Sequence, residues 1–596
     1  MHIKRFYYPL VLVFLFLPAQ TSLAQRGRLQ IEYTVSLTNP NTQQFHVTTV
    51  IKKLNQPRLG LSLPAWTPGW YTVENYFKNV LRFRITDASG KVLPHVMSKK
   101  QTWNVNTNGL REIKIDYDYS ATVLALNQAK ISKDFAFFTG IELFLQAEGH
   151  RQEPATVHFQ IPAGWKIISA LKETNDPMTF TAADYDTLVD APTEMGNFDV
   201  TRFEVEGKPH YFVANPAGAF NTEKSQQFVE MVTKLVKVDS AIFGGLPYEK
   251  YLMFYFFASP ESNAGGALEH LNSFVAFARR GDATTPKMLI GTFAHEYFHL
   301  WNVKRIRPAE MWPYDYSREN ETPLLSVSEG FTSYYSVIAQ YRAGLMTGED
   351  FLQRAAEVAA NIENNDARNY ISPANSSVST WVGYDTPVAF GISYYGQGEN
   401  LGALLDLSIL NDTDGRRGLD DVMRSLFSEF YQRGRGFTTE AMIGVINRLT
   451  RRDYHDFFRR YVFGTEAPNY DRIFGYAGYQ VQKKDRPEVE VGFSGSFRGS
   501  GFNVQMVEPN SPASIAGLRP GDTITKLDGQ LPNDYPIDSA AGKTVKLTVV
   551  RDDKEIEIPV TFGSRPFKAF TLVSLPNPSP RQLQIRKGWL NQTINR

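Results

Sequence analysis

One stretch constrains this chain more than any other: Gly291-Thr-Phe-Ala-His-Glu-Tyr-Phe-His-Leu-Trp301. Inside it His295, Glu296 and His299 form an H-E-x-x-H motif. On a helix, residues four apart lie on the same face, so His295 and His299 offer two imidazole nitrogens to one metal ion. Glu296 sits one step round, within reach of a water at that metal. The stretch reads as a helix. Thr285 serves as N-cap and Pro286 as first helical residue, and apolar side chains recur at Leu289, Phe293, Phe298 and Leu300.

Two histidines do not complete a catalytic zinc site, which takes three protein ligands and leaves a fourth position for water. A second helix is expected to open near Ser326, and Glu329 within it is the natural third ligand. A carboxylate in that apolar setting is costly to bury unless it meets a cation. The rival donors Glu310, Asp315, Glu319 and Glu321 sit among loop signals. Upstream, Asn263-Ala-Gly-Gly-Ala-Leu-Glu-His270 places a glycine-rich turn, with Gly265 and Gly266, before a carboxylate, Glu269. Such a turn beside a strand presents a charge to an extended peptide; a solvated surface glutamate is the alternative.

At 596 residues the chain is too long for one core. Its formal charge of +1, with no basic block, does not point to nucleic acid. The first 24 residues read as a secretory signal: Lys4 and Arg5, an apolar run over 10–17, Pro18, then Ser22-Leu23-Ala24 before Gln25. The apolar run is too short to span a bilayer, so no transmembrane segment is expected after cleavage. Removing Lys4 and Arg5 gives +1 − 2 = −1. The absence of cysteine excludes disulfides and thiol catalysis, and with export it points to a bacterial periplasm or exterior.

Residues 25–205 read as an N-terminal β-sandwich-like domain, with alternating patterns over 29–37, 44–51, 80–85, 112–119 and 156–161. Within it, Leu63-Pro-Ala-Trp-Thr-Pro-Gly-Trp-Tyr71 reads as a rigid aromatic turn, a packed corner of the sandwich in preference to a substrate contact. A helix over 225–243 and an apolar strand over 251–258 begin the catalytic domain, 206–465. Helices over 350–362, 400–410, 419–432 and 439–449 form its other half, and Asp406 among them reads as structural. After a linker at 463–469, residues 470–563 look like a PDZ domain, on the core Ser511-Pro-Ala-Ser-Ile-Ala-Gly-Leu-Arg-Pro-Gly-Asp-Thr-Ile524. PDZ domains bind extended peptides, or protein C-termini, by strand addition. Here Val491-Gly492-Phe493 is the candidate carboxylate-binding turn, and the groove-walling helix over 531–542 looks short or absent. The tail, 564–596, carries an amphipathic helix over 582–590 expected to dock on the rest.

The motifs together resemble the M61 (glycyl aminopeptidase) family of zinc peptidases: H-E-Y-F-H, then W-N-V-K-R-I-R-P, then S-E-G-F-T-S-Y-Y. Twenty-nine residues, 300 to 328, separate the motif from Glu329, more than in the related M1 aminopeptidases. The resemblance implies a multidomain α+β protein with a thermolysin-like, gluzincin catalytic domain and one Zn²⁺ held by His295, His299 and Glu329. It implies that Glu269, in G-G-A-L-E-H, binds the free amine of a peptide substrate. Ile392-Ser-Tyr-Tyr-Gly-Gln-Gly398 resembles the family's Y-Y-x-K-G segment, making Tyr395 the transition-state hydrogen-bond donor, with Gln397 where lysine is usual. The implied activity is removal of small N-terminal residues, glycine or alanine. The alternatives are a zinc endopeptidase that captures substrates through its PDZ domain, and a non-catalytic peptide-binding protein.

Overall fold

A computed structural model describes residues 28–259, 265–281, 284–382, 391–498 and 500–591. The expected signal segment, Asn263 and Ala264 lie outside the described residues.

Three sheets, of seven, five and four strands, build the N-terminal β region, their strands running from Gln30–Ser36 to Pro192–Gly196. The alternating pattern of Gln30–Ser36 follows the pleat: Ile31, Tyr33 and Val35 are buried while their neighbours face outward. The next strand, Asp199–Val205, falls before residue 205 in sequence but pairs with Lys208–Asn215, in the catalytic sheet. That sheet continues in parallel through Tyr251–Ala258 and Ser273–Arg279 and ends on a short antiparallel edge strand, Ala267–His270. The near-continuous apolar run of Tyr251–Ala258 is that of a strand covered on both faces. The edge strand carries Glu269 opposite Phe274.

The motif helix, Pro286–Phe298, lies against this sheet. Phe293 stacks on Tyr297, and Tyr297 accepts or donates a 2.7 Å hydrogen bond with Tyr248, which in turn meets His210 at 2.7 Å. Thr285 takes the extended N-cap conformation, but its side chain makes no cap hydrogen bond. The helical half follows: Thr332–Arg342, Gly348–Glu363, Tyr394–Asp412, Leu419–Glu429 and Thr439–Thr450. Asp406 is fully buried, accepting from the Tyr334 hydroxyl at 2.6 Å and the Leu419 N–H at 2.8 Å, so it ties three helices together.

The C-terminal part departs from a domain followed by a tail. Strand Tyr479–Asp485 pairs antiparallel with Lys568–Ser574, and the Arg486 N–H donates to the Phe567 carbonyl at 2.7 Å. The PDZ domain is the excursion between these two strands. Its five-stranded sheet runs from Phe493–Arg498, an edge strand, to Lys554–Thr561, around a core of its own that includes Val504, Leu547 and Val560. Where a groove-walling helix would stand there is a single 3₁₀ turn, Ile537–Ser539. The chain then returns to the catalytic body. Helix Pro580–Asn591 buries Ile585 and Trp589, and Trp589 packs on Phe351 and Phe474 while its indole N–H donates to Tyr334 at 3.0 Å. Among the described residues, no helix is long and apolar enough to cross a membrane.

Candidate active site

His295 and His299 come off the last turn of the motif helix with their Nε2 atoms 3.0 Å apart. Glu329 meets them: its Oε2 lies 3.1 Å from His299 Nε2 and 3.6 Å from His295 Nε2. The turn that carries Glu329, Ser326–Phe331, is a π-helix that runs into Thr332–Arg342. The sequence reading expected an ordinary helix opening there. The wider turn is held by contact without side chains: a Cβ on Gly330 would lie 2.3 Å from Gly398 Cα, and one on Gly398 would lie 2.0 Å from the Ser326 carbonyl oxygen. Single π turns within helices recur at functional sites. Through this glycine contact the helix Tyr394–Asp412 abuts the turn, and its first residues bring the Tyr395 ring to 6.0 Å from the His295 imidazole. Gln397 is buried and donates to the Ile371 carbonyl at 3.1 Å.

The imidazoles are oriented from behind. His299 Nδ1 lies 2.7 Å from the Asn302 carbonyl, an acceptor only, so Nδ1 carries a proton and Nε2 is the nitrogen turned to Glu329. The Asn302 side chain donates to the carbonyls of Val327 and Ser328, at 2.8 and 3.1 Å, and so ties the end of the motif helix to the π turn. Sequence reasoning passed over this residue, although it stands next to the motif.

The N-terminal region reaches the same point. The Tyr71 hydroxyl donates to Glu329 Oε1 at 3.1 Å. Gly69 stands against Glu269: with φ at +93°, a Cβ there would be 2.6 Å from Glu269 Oε2. The turn is docked on the segment after the motif, with the Trp66 indole N–H on the Asp315 carbonyl at 2.9 Å and the Ala65 N–H on the Tyr316 carbonyl at 2.7 Å. The aromatic turn is thus part of the site's wall, not only a corner of the β domain. Asp190, also from the N-terminal region, is held by Lys304 at 2.8 Å, His270 Nδ1 at 3.2 Å and the Leu271 N–H at 2.6 Å, beside Glu269.

Among the described residues, ligand atoms of His295, His299 and Glu329 lie within 4.8 Å of one another, and so do those of Glu269, Glu296 and His299. The buried imidazoles and carboxylates shift one another strongly. Burial alone would push His299 down, but the Glu329, Glu269 and Glu296 carboxylates overcome it and hold the ring up at about 10. Burial would raise Glu329, but the two imidazoles hold it far below the usual carboxylate range. Burial pushes Glu296 well up, and pushes Glu269 up to about 7 against the pull of His299 and Lys304. Among the described residues, Glu269 Oε1 and Glu296 Oε2 are buried without a hydrogen-bond partner. Unpaired buried carboxylate oxygens are costly, and here they face a donor set of two imidazoles and one carboxylate that fits a divalent metal.

The chain matches the Peptidase M61 N-terminal domain over residues 32–197, the M61 glycyl aminopeptidase domain over 288–401 and a PDZ domain over 475–562. These matches make it a peptidase. It belongs to the M61 family and carries a C-terminal PDZ domain. A crystal structure of an aminopeptidase N family protein from Idiomarina loihiensis has the same fold, with a TM-score of 0.81 and 23% identity over 94% of this chain and 100% of that one. Shorter similarities run to the magnetosome formation protease MamE of Paramagnetospirillum magneticum, 43% identical over 60 residues, and to a probable CtpA-like serine protease of Staphylococcus haemolyticus, 26% identical over 160. The matched stretches span 9% and 24% of this chain and only 8% and 28% of those two relatives.

Proposed function

We propose that the protein is an exported zinc aminopeptidase that removes small N-terminal residues, glycine or alanine, from peptides. One observation carries the exopeptidase reading. Glu269, on the open edge strand, is a buried carboxylate with an unpaired oxygen beside Glu296 and His299. A substrate ammonium is the group that satisfies it. A peptide laid along the edge strand Ala267–His270 would pair its amine with Glu269, which fixes the scissile bond one residue from the end.

His295, His299 and Glu329 would hold one zinc ion, which supplies Lewis acidity to the scissile carbonyl and the attacking water. Glu296, its carboxyl raised by burial, accepts the water's proton and passes it to the leaving amine. Tyr395 donates to the developing oxyanion, an interaction whose loss commonly costs about 3–4 kcal/mol of barrier. Gly265 and Gly266 keep the turn before Glu269 free of side chains, the latter at φ +83°. At the PDZ domain, the edge strand Phe493–Arg498, with Val491-Gly492-Phe493 before it, is the surface proposed for a peptide or protein C-terminus.

The test is hydrolysis of Gly-, Ala-, Leu- and Arg-p-nitroanilides, each with an N-acetylated control, alongside metal analysis. Zinc near one per chain is expected, with cleavage of free-amine substrates only and fastest for Gly and Ala. Glu296→Gln is expected to lower kcat by at least about 10³-fold. Equal cleavage of acetylated substrates would remove Glu269 from its role and favour an endopeptidase.

A further inference from the structure

Glu329 has two carboxylate oxygens, and the structure gives them different neighbours. Oε2 faces His299 and His295, at 3.1 and 3.6 Å. Oε1 accepts from the Tyr71 hydroxyl at 3.1 Å. Tyr71 reaches this point from another domain, and its placement is fixed: the side chain is fully buried, its ring packs edge-on against Trp381 at 5.7 Å, and the turn that carries it is bonded to residues 315 and 316. A hydroxyl so held can neither rotate away nor be replaced by water.

We infer that Tyr71 is a positioning residue for the metal: by occupying Oε1 it leaves Glu329 only Oε2 to give, making it a monodentate ligand and keeping a coordination position open. This rests on the metal site proposed above. A carboxylate with both oxygens free binds a small divalent ion through one or two of them, and the second mode closes a position that water needs. Outer hydrogen bonds to metal ligands commonly govern affinity by 10–100-fold. The N-terminal domain then sets the coordination number of a metal held wholly by the catalytic domain.

The experiment compares wild type with Tyr71→Phe, which keeps the buried ring and removes only the hydroxyl. Apo-proteins are titrated with Zn²⁺ against a competing chelator dye, and separately loaded with Co²⁺ and read by visible absorption. The expected result is roughly tenfold weaker Zn²⁺ binding and a fall in the Co²⁺ d–d intensity, the change from four to five ligands. Unchanged affinity and spectrum overturn the inference. Trp381→Leu loosens the aromatic contact and spares the hydroxyl; it is expected to shift both readouts clearly less than Tyr71→Phe does. Equal shifts in both variants assign the effect to packing and overturn it too. Neither readout needs peptide hydrolysis, so a wild type that binds no Zn²⁺ refutes the metal site itself, whereas normal binding by Tyr71→Phe refutes only the role of its hydroxyl.

Discussion

The N-terminal β domain and the PDZ domain are both made of strands, and they stand in opposite relations to the peptidase body. The N-terminal domain shares its core with that body: Val303, Met311, Tyr314, Leu325 and Tyr394 pack among its own buried side chains. It lays Tyr71 on Glu329, Gly69 on Glu269 and Asp190 on Lys304. The PDZ domain keeps a separate core and is joined through the neck at Arg486 and Phe567. Strand content therefore says nothing of a domain's part in the chemistry. What decides it is whether the domain's buried groups are satisfied by its own residues or by the site's.

The largest effect is expected at Asp190. Replacing it by Asn leaves the buried Lys304 and His270 without their carboxylate, and losing one partner of such a set costs about 3 kcal/mol or more. Urea unfolding should show that loss, with peptidase activity falling alongside it. The pH dependence follows from the same group. Burial would raise Asp190, but Lys304 and His270 overcome it and hold the carboxyl at about 2, below its ordinary 3.8. A depressed folded value means stability that is complete above pH 3.8 and lost as pH falls toward 2. The gap between wild type and Asp190→Asn should thus widen as pH falls through the His270 range, because Asp190 holds that ring up against burial, and narrow below about 4. A gap that stays open to pH 2 would break the assignment.

Gly69→Ala comes next. The new methyl meets the Glu269 carboxylate, in a backbone conformation that disfavours any side chain. KM for free-amine substrates should rise about tenfold with zinc affinity unchanged, on the general cost of a misplaced polar contact. A change in zinc affinity instead would place the turn's main influence on the metal. The smallest effect belongs to the PDZ domain. Excising residues 487–566 and joining Arg486 to Phe567 through a few glycines should leave hydrolysis of short p-nitroanilides within about twofold, since the two ends are already hydrogen-bonded. A large loss would mean that the PDZ domain takes part in the cleft.

Much of the site was legible because its residues lie on periodic elements. His295, Glu296 and His299 announce themselves by spacing, and Glu329 by being a carboxylate where the sequence is otherwise apolar. Tyr71, Asn302 and Asp190 were not legible. Each acts through a partner far along the chain or through a backbone carbonyl, and neither leaves a periodic mark. The aromatic turn carried a signal, a density of Trp, Pro and Gly, but a packed corner of the sandwich was the preferred explanation of it. The π turn at Ser326–Phe331 escaped because helical periodicity over six residues does not separate a wide turn from an ordinary one. In the return of 568–591 to the catalytic body, the docking of the tail helix was legible from its amphipathic pattern, but the pairing of Lys568–Ser574 with Tyr479–Asp485 was hidden: strand pairing across the PDZ domain is a long-range contact without local pattern.

That return gives the molecule an order in time. Every residue proposed to act on substrate lies before position 396, so the ribosome delivers the whole catalytic set early. Yet Tyr334, three positions after the π turn ends, and Phe351 wait for Trp589 to cover them. Between the two events the PDZ domain must be made, and having its own core it can fold meanwhile. The peptidase body is thus begun before the PDZ domain and closed after it, which delays a finished cleft until helix Pro580–Asn591 has arrived.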